Sequence, residues 1–236
     1  MPLTDNDLAT RLAAVHQRIL SAEDRARRPA GSVTLLAVSK TFPAEAVRAC
    51  AAAGQRRFGE NYLQEATEKI GALHDLDLEW HFIGPLQSNK TRPVAELFHW
   101  VHSVDRLRIA ERLSSQRPAG LPPLNICLQV NVSGEESKSG TTLAELPALA
   151  EAVRALPGLR LRGLMAIPAP ADNPEAQRLP FRTLRLAFEA LNARGLALDT
   201  LSMGMSDDLE AAILEGATLV RVGSAIFGHR DYGEGH

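Results

Sequence analysis

Cysteine is nearly absent from this 236-residue chain, which holds only Cys50 and Cys127, outside any CxxC spacing. Two such residues build neither a disulfide framework nor a zinc cluster, which fits a reducing compartment. No run of apolar residues approaches the roughly 20 that cross a bilayer. The opening stretch, MPLTDNDLATRLAAVHQRIL, is charged throughout and lacks the apolar core of a signal peptide. Net charge is only −2, so nothing draws the chain to nucleic acid or an anionic membrane. Histidines 16, 74, 81, 99, 102, 229 and 236 show no HExxH or zinc-ligand spacing, and no metal is expected; His99 and His102 read as strand-end polar residues. Linkers, low-complexity segments and internal repeats are missing too, and the Pro-rich loops at 117–123 and 168–174 are short. These absences predict one cytoplasmic domain over 1–236, with no membrane or nucleic-acid partner.

What is present is an alternation of strands and helices. Thr4 and Asp7 form a capping-box pattern ahead of Leu8, Leu12, Val15 and Ile19, which predicts a helix over about 4–28. The run VTLLAVSK (33–40) is continuously apolar and suits a strand buried on both faces. Pro43 then fits the first turn of a helix. Further strands are predicted at 56–59, 80–84, 100–104, 124–131, 160–166, 200–203 and 218–222, with helices near 60–72, 88–98, 105–116, 142–155, 175–194 and 206–215. Eight βα units in about 190 residues point to a closed (β/α)8 barrel of the TIM type over about 33–228, with an extra N-terminal helix. An open doubly wound sheet is the alternative, because spacing alone does not show closure.

In such a barrel the chemistry sits at the C-terminal ends of the strands. Lysine is scarce, at four against twenty-two arginines. Of the four, Lys40 directly continues the buried run VTLLAVS, whereas Lys69, Lys90 and Lys138 lie in helical or loop contexts that need no special role. Burial would lower the pKa of the Lys40 ammonium and free an amine able to condense with an aldehyde. A lysine simply emerging into solvent is the competing reading. Near the other end, TLSMGMSDDLEAAILEGA reads as a strand, a Gly turn and a helix starting near Ser206, where backbone N–H groups can hold an anion. TLVRVGSAIFG repeats that design with Gly223 and Ser224, and phosphate sites after strands 7 and 8 recur in these barrels. Ordinary capping and tight turns are the alternative. Arg221 interrupts an apolar strand, so it needs a partner, either a ligand ring nitrogen or a buried structural ion pair. The segment GEESKSG (134–140) has a superficial likeness to a P-loop but lacks its Gly-Lys-Ser/Thr ending. The acidic residues of 60–68 read as a solvated face.

With these residues in hand, the chain resembles the pyridoxal phosphate homeostasis proteins, which share the barrel of the alanine racemase N-terminal domain. The matching segments are LLAVSKTFP, RRFGENYLQEA, LEWHFIGPLQSNK, VHSVD, LQVNVSGEESKSG, RGLMAIPAP, LSMGMSDDLEAAILEGATLVRVGSAIFG and HRDY, running from residue 35 to 232. The resemblance implies that Lys40 carries pyridoxal 5'-phosphate (PLP) as a Schiff base and that Arg221 faces the pyridine nitrogen. Ser206, Gly223 and Ser224 would bind the phosphate. Asn61 and Met203 match positions of the family's pocket, and His81 lies on its third-strand segment. Where the family sometimes has Thr, this chain has Ser224, which keeps the hydroxyl.

An arginine at the pyridine nitrogen disfavours ring protonation and makes the ring a poor electron sink. Racemases with this arrangement add a second domain bearing an acid/base residue, and the sequence ends soon after its last strand. The resemblance therefore implies a non-catalytic PLP-binding protein, with no catalytic residues, acting in vitamin B6 homeostasis by buffering or delivering PLP to apo-enzymes. A monomer is expected. The alternatives are a small PLP-dependent amino-acid racemase and a barrel that binds another phosphorylated metabolite without a covalent bond.

Overall fold

Short apolar runs separated by helical repeats fold into a closed parallel barrel. The computed structural model describes residues 4–133 and 139–228. Its strands are β1 (Thr34–Val38), β2 (Arg57–Glu60), β3 (Glu79–Phe82), β4 (Trp100–Val104), β5 (Leu124–Gln129), β6 (Leu159–Met165), β7 (Thr200–Ser202) and β8 (Leu219–Val222). They pair in sequence order, and β8 returns to β1 with Leu36 opposite Arg221. That last ladder is what an open sheet would lack, so the barrel expectation holds. The helices are α1 (Asp5–Arg25), α2 (Ala44–Ala52), α3 (Leu63–Ala72), α4 (Thr91–Leu97), α5 (Leu107–Gln116), α6 (Leu146–Arg154), α7 (Pro174–Ala193), α8 (Leu209–Leu214) and α9 (Ser224–Phe227). No helix among the described residues is long and apolar enough to cross a membrane.

α1 starts where the capping box places it. Thr4 Oγ1 accepts from the Asp7 amide at 3.2 Å, and the Thr4 amide donates to Asp7 Oδ2 at 3.0 Å. Its apolar stripe, Leu8, Leu12, Val15 and Ile19, is buried against the barrel's outer layer. Arg28 donates to the carbonyls of Ile213 and Ala217, locking the end of α1 to the β8 side.

Strand side chains alternate, and the two sets go to different cores. Leu35 and Ala37 of β1 join the large layer between barrel and helices. Leu36 and Val38 instead pack inside the barrel with Ile83 and Leu219, and a second interior group holds Trp100, Cys127 and Met165. His81, His102, Ser202 and Arg221 are buried polar residues on the same strands.

Three local expectations need correction. Ser206 does not start a helix: Met205 N–H donates to Asp208 Oδ1 at 2.6 Å, and this side-chain turn delays α8 to Leu209. Pro43 caps α2 from outside its first turn, with an extended backbone. The acidic face predicted at 60–68 is only partly solvated, because Glu60 ends β2 fully buried. The central residues 134–138 of the P-loop-like segment and the closing HRDY lie outside the described residues.

Candidate functional site

A cavity of about 460 Å³ opens at the C-terminal mouth of the barrel. Lys40, Asn61, Ser206, Arg221, Gly223 and Ser224 line it together, with Val38, Ile83, Ile167, Met205 and Asp207. Six of the eight residues singled out in the sequence thus meet in one place. Met203 and His81 do not. Met203 is fully buried in the layer between barrel and helices, and Met205, two residues on, reaches the cavity instead. His81 points into the barrel interior and lines a second cavity built from the N-terminal ends of the strands.

Lys40 lies two residues past the end of β1 and is exposed, so the burial expected of it is not found. Among the described lysines the buried one is Lys69, to which the sequence assigned no role. Its Nζ donates to the Ser39 carbonyl at 2.7 Å, to Glu60 Oε1 at 2.8 Å and to Glu65 Oε1 at 2.5 Å. Glu65 also accepts from the Thr41 amide at 2.6 Å, and Ser39 Oγ donates to Glu60 at 2.5 Å. Both chain neighbours of Lys40 are therefore tied to one buried ion cluster. The cluster holds Thr41 at φ +67°, a left-handed conformation unfavourable for a β-branched residue. Burial pushes the Glu60 carboxyl up, against the pull of Lys69.

Among the described residues Arg221 has no carboxylate in contact, although the charge of Asp208 acts on it. It is 3% exposed, and its NH1 and NH2 donate to Ser202 Oγ at 2.8 Å and the Ala166 carbonyl at 2.9 Å. The structural ion pair considered from sequence is absent there, and further N–H donors remain for a ligand. Burial pulls Arg221 down to about 10, which leaves it charged at neutral pH. Asn61 Oδ1 is buried without a partner beside the same cavity. Gly84 fixes the backbone of Asn61, since an added Cβ would sit on the Asn61 carbonyl oxygen.

The anion-ready corner is built from two loops. Ser206 Oγ accepts from the Ala225 amide at 3.2 Å, joining the loop after β7 to α9. Ser206 is held from outside as well: Arg18 of α1 donates to its carbonyl at 2.8 Å while making a two-pronged ion pair with Glu210. Gly204, at φ +95°, makes the turn and accepts from the Arg221 amide. Gly223 approaches Val38 so closely that a Cβ would lie 3.2 Å from its carbonyl oxygen. Asp207 on the rim is the opposing charge. The exposed apolar rim of Ile167 and Met205 left no trace in the sequence, because apolar residues at strand ends are usually core.

Known proteins are similar to this chain in sequence and fold. A family model described as the alanine racemase N-terminal domain matches residues 11–231. A pyridoxal phosphate homeostasis protein of Pseudomonas aeruginosa is 66% identical over 226 residues, covering 96% of this chain and 97% of that protein. One of Escherichia coli K12 is 58% identical over 230 residues, covering 96% and 98%. Among solved structures, PipY of Synechococcus elongatus with PLP bound is 40% identical, at a TM-score of 0.81, covering 94% of this chain and all of that one. Alanine racemase of Corynebacterium glutamicum, at 18% identity and a TM-score of 0.73, shares the fold; this chain spans 64% of its length.

Proposed function

We infer a cofactor-holding function from one premise: the chain belongs to the alanine racemase N-terminal-domain family and, within it, to the pyridoxal phosphate homeostasis proteins. It binds PLP in the cavity at the barrel mouth, with Lys40 as its covalent tether. The observation that carries this is a single cavity holding an exposed lysine amine, a buried arginine free of carboxylate contacts and two serine hydroxyls. Its volume lies within the range of small-ligand sites.

PLP supplies an aldehyde, a pyridine ring and a phosphate. Lys40 would hold the aldehyde through its amine, as a tether that water can reverse. Arg221 would face the ring nitrogen and, being charged, would oppose its protonation. Ser206, Gly223 and Ser224 hold the phosphate, and Asn61 Oδ1 offers an acceptor to the ring's edge. Met203 and His81 lie outside this lining and are given no contact with the cofactor.

The role is to buffer PLP and hand it to apo-enzymes that use it, which affects amino-acid and keto-acid metabolism indirectly. Among the described lining residues the titratable ones are Lys40, Asp207 and Arg221. The non-catalytic reading is supported by the relatives, which are named as homeostasis proteins. Cys50 and Cys127 are free and buried, with burial pushing their thiols up to about 11 and about 12, as suits a reducing cytoplasm.

Borohydride reduction of protein loaded with PLP, followed by peptide mass mapping, tests the reading. The expected label falls on Lys40 and disappears in Lys40→Ala. A label elsewhere overturns the tether, and sustained isomerisation of free amino acids overturns the non-catalytic role.

A further inference from the structure

Arg221 is the near end of a polar chain that crosses the barrel interior. Its NH1 meets Ser202 Oγ at 2.8 Å, Ser202 Oγ meets His102 Nδ1 at 2.7 Å, and His102 Nε2 meets His81 Nδ1 at 2.8 Å. His81 Nε2 then meets Glu79 Oε1 at 2.9 Å. Strands β8, β7, β4 and β3 contribute one or two groups each. His81, His102 and Ser202 are fully buried, whereas Glu79 opens onto the cavity at the N-terminal ends of the strands.

The two ends fix the direction of every bond. A guanidinium only donates, so Ser202 accepts from Arg221. The His81 contact, with Arg57 beside it, holds the Glu79 carboxyl below its ordinary range, so Glu79 only accepts and His81 Nε2 carries its proton. Burial keeps both imidazoles neutral, with one proton each. His81 Nδ1 is then bare and accepts from His102 Nε2–H; His102 Nδ1 is bare and accepts from the Ser202 hydroxyl. All four hydrogen bonds run from Arg221 to Glu79. Trp100 stacks on His81 at 5.3 Å and 8°, which keeps that ring from rotating out of line.

We propose that Glu79, His81, His102 and Ser202 are positioning residues that hold Arg221 against the cofactor ring and relay the Glu79 charge to it. A buried guanidinium without a carboxylate in contact is costly. A one-directional chain of hydrogen bonds polarises each member, and here it makes Ser202 Oγ a stronger acceptor for the cationic end. Cofactor affinity at one end of the barrel thereby depends on a carboxylate at the other. This rests on the reading of Arg221 as the group facing the pyridine nitrogen.

Two measurements decide it. Imidazole 15N–1H correlation spectra of the PLP-free wild type are expected to show His81 and His102 both protonated at Nε2. A proton on Nδ1 of either ring overturns the chain, and this needs no variant. In Glu79→Leu, a half-exposed site, the tautomers are expected to mix, the PLP dissociation constant to rise about threefold or more, and the bound-PLP absorbance maximum to shift. Glu79→Gln, which keeps an acceptor oxygen, is expected to restore the tautomers. Ser202→Ala gives the same affinity loss from the near end, with circular dichroism reporting the fold. Mixed tautomers in Glu79→Leu with unchanged affinity and absorbance overturn the coupling. Borohydride labelling of wild type separates the premises: a Lys40 label upholds the cofactor site whatever Glu79 does, and its absence overturns the parent reading and this link together.

Discussion

Lys40 and Lys69 divide between them the two properties expected of a single residue. Lys40 presents an amine at an open mouth, and Lys69 bears the burial. Their substitutions should therefore have opposite signatures. Lys40→Ala removes an exposed side chain, so the melting temperature of PLP-free protein should stay within about 2 °C of wild type while borohydride labelling is lost. Lys69→Met strips a buried carboxylate of its cation and releases Ser39 and Thr41. It should cost about 3 kcal/mol and lower the melting temperature by roughly 6–12 °C in calorimetry. A stable Lys69→Met protein with wild-type PLP affinity would show the cluster to be idle. At this scale the sequence carried Lys40, Arg221, Ser206, Gly223 and Ser224, because each is a polar or small residue breaking an apolar strand or turn. Beyond Glu65, four residues back on the same helix, Lys69 was hidden because its other partners, Glu60 and the Ser39 carbonyl, are reached 9 and 30 residues away through the barrel's curvature.

Among the elements, α1 has the least obvious task. It lies outside the repeated βα units, yet its Arg18 grips both Glu210 and the Ser206 carbonyl, while Thr4, Leu8 and Leu12 set its register. Substituting Arg18→Met keeps most of the apolar stem and removes the clasp. The PLP dissociation constant should rise about three- to tenfold in an absorbance titration, because the phosphate loop must then be ordered on binding. An unchanged constant would limit α1 to stability. A second clasp joins α7 to the end of α8, where Arg178, Arg182 and Arg185 converge on Glu215, 2% exposed. Since the arginines are about one-third exposed, Glu215→Ala should cost only about 2 kcal/mol, seen as a melting point lower by roughly 4–8 °C. Element order was readable from periodicity, since eight apolar runs alternate with helical repeats. Element ends were less so: the Met205–Asp208 turn outcompetes the first turn of α8, and a hydrogen bond from an amide to a nearby carboxylate leaves little mark in the residue pattern.

For the whole molecule, a barrel interior that is partly polar has a cost in acid. His81 and His102 are both pulled below the ordinary imidazole value, by burial first, with each other's charge and that of Arg221 adding at His102. The unfolded chain has no such burial, so its histidines take up protons as pH drops below about 6.5. The folded protein takes them up only at lower pH. Between those values the unfolded state binds more protons, and stability must fall as pH falls, by up to about 1.4 kcal/mol per pH unit for each ring. Stability from this pair is fully present above about pH 7 and is progressively lost below it. Glu79, whose folded carboxyl is held low by His81, loses its contribution only in the carboxylate range. Urea midpoints should thus decline steeply from pH 7 to 5.5 in wild type and less steeply in a His81→Leu/His102→Leu double variant that stays folded. Equal slopes would mean that the two rings take up protons in the native barrel as readily as in the unfolded chain, so that burial does not keep the one-way chain from Arg221 to Glu79 neutral below about pH 6.5.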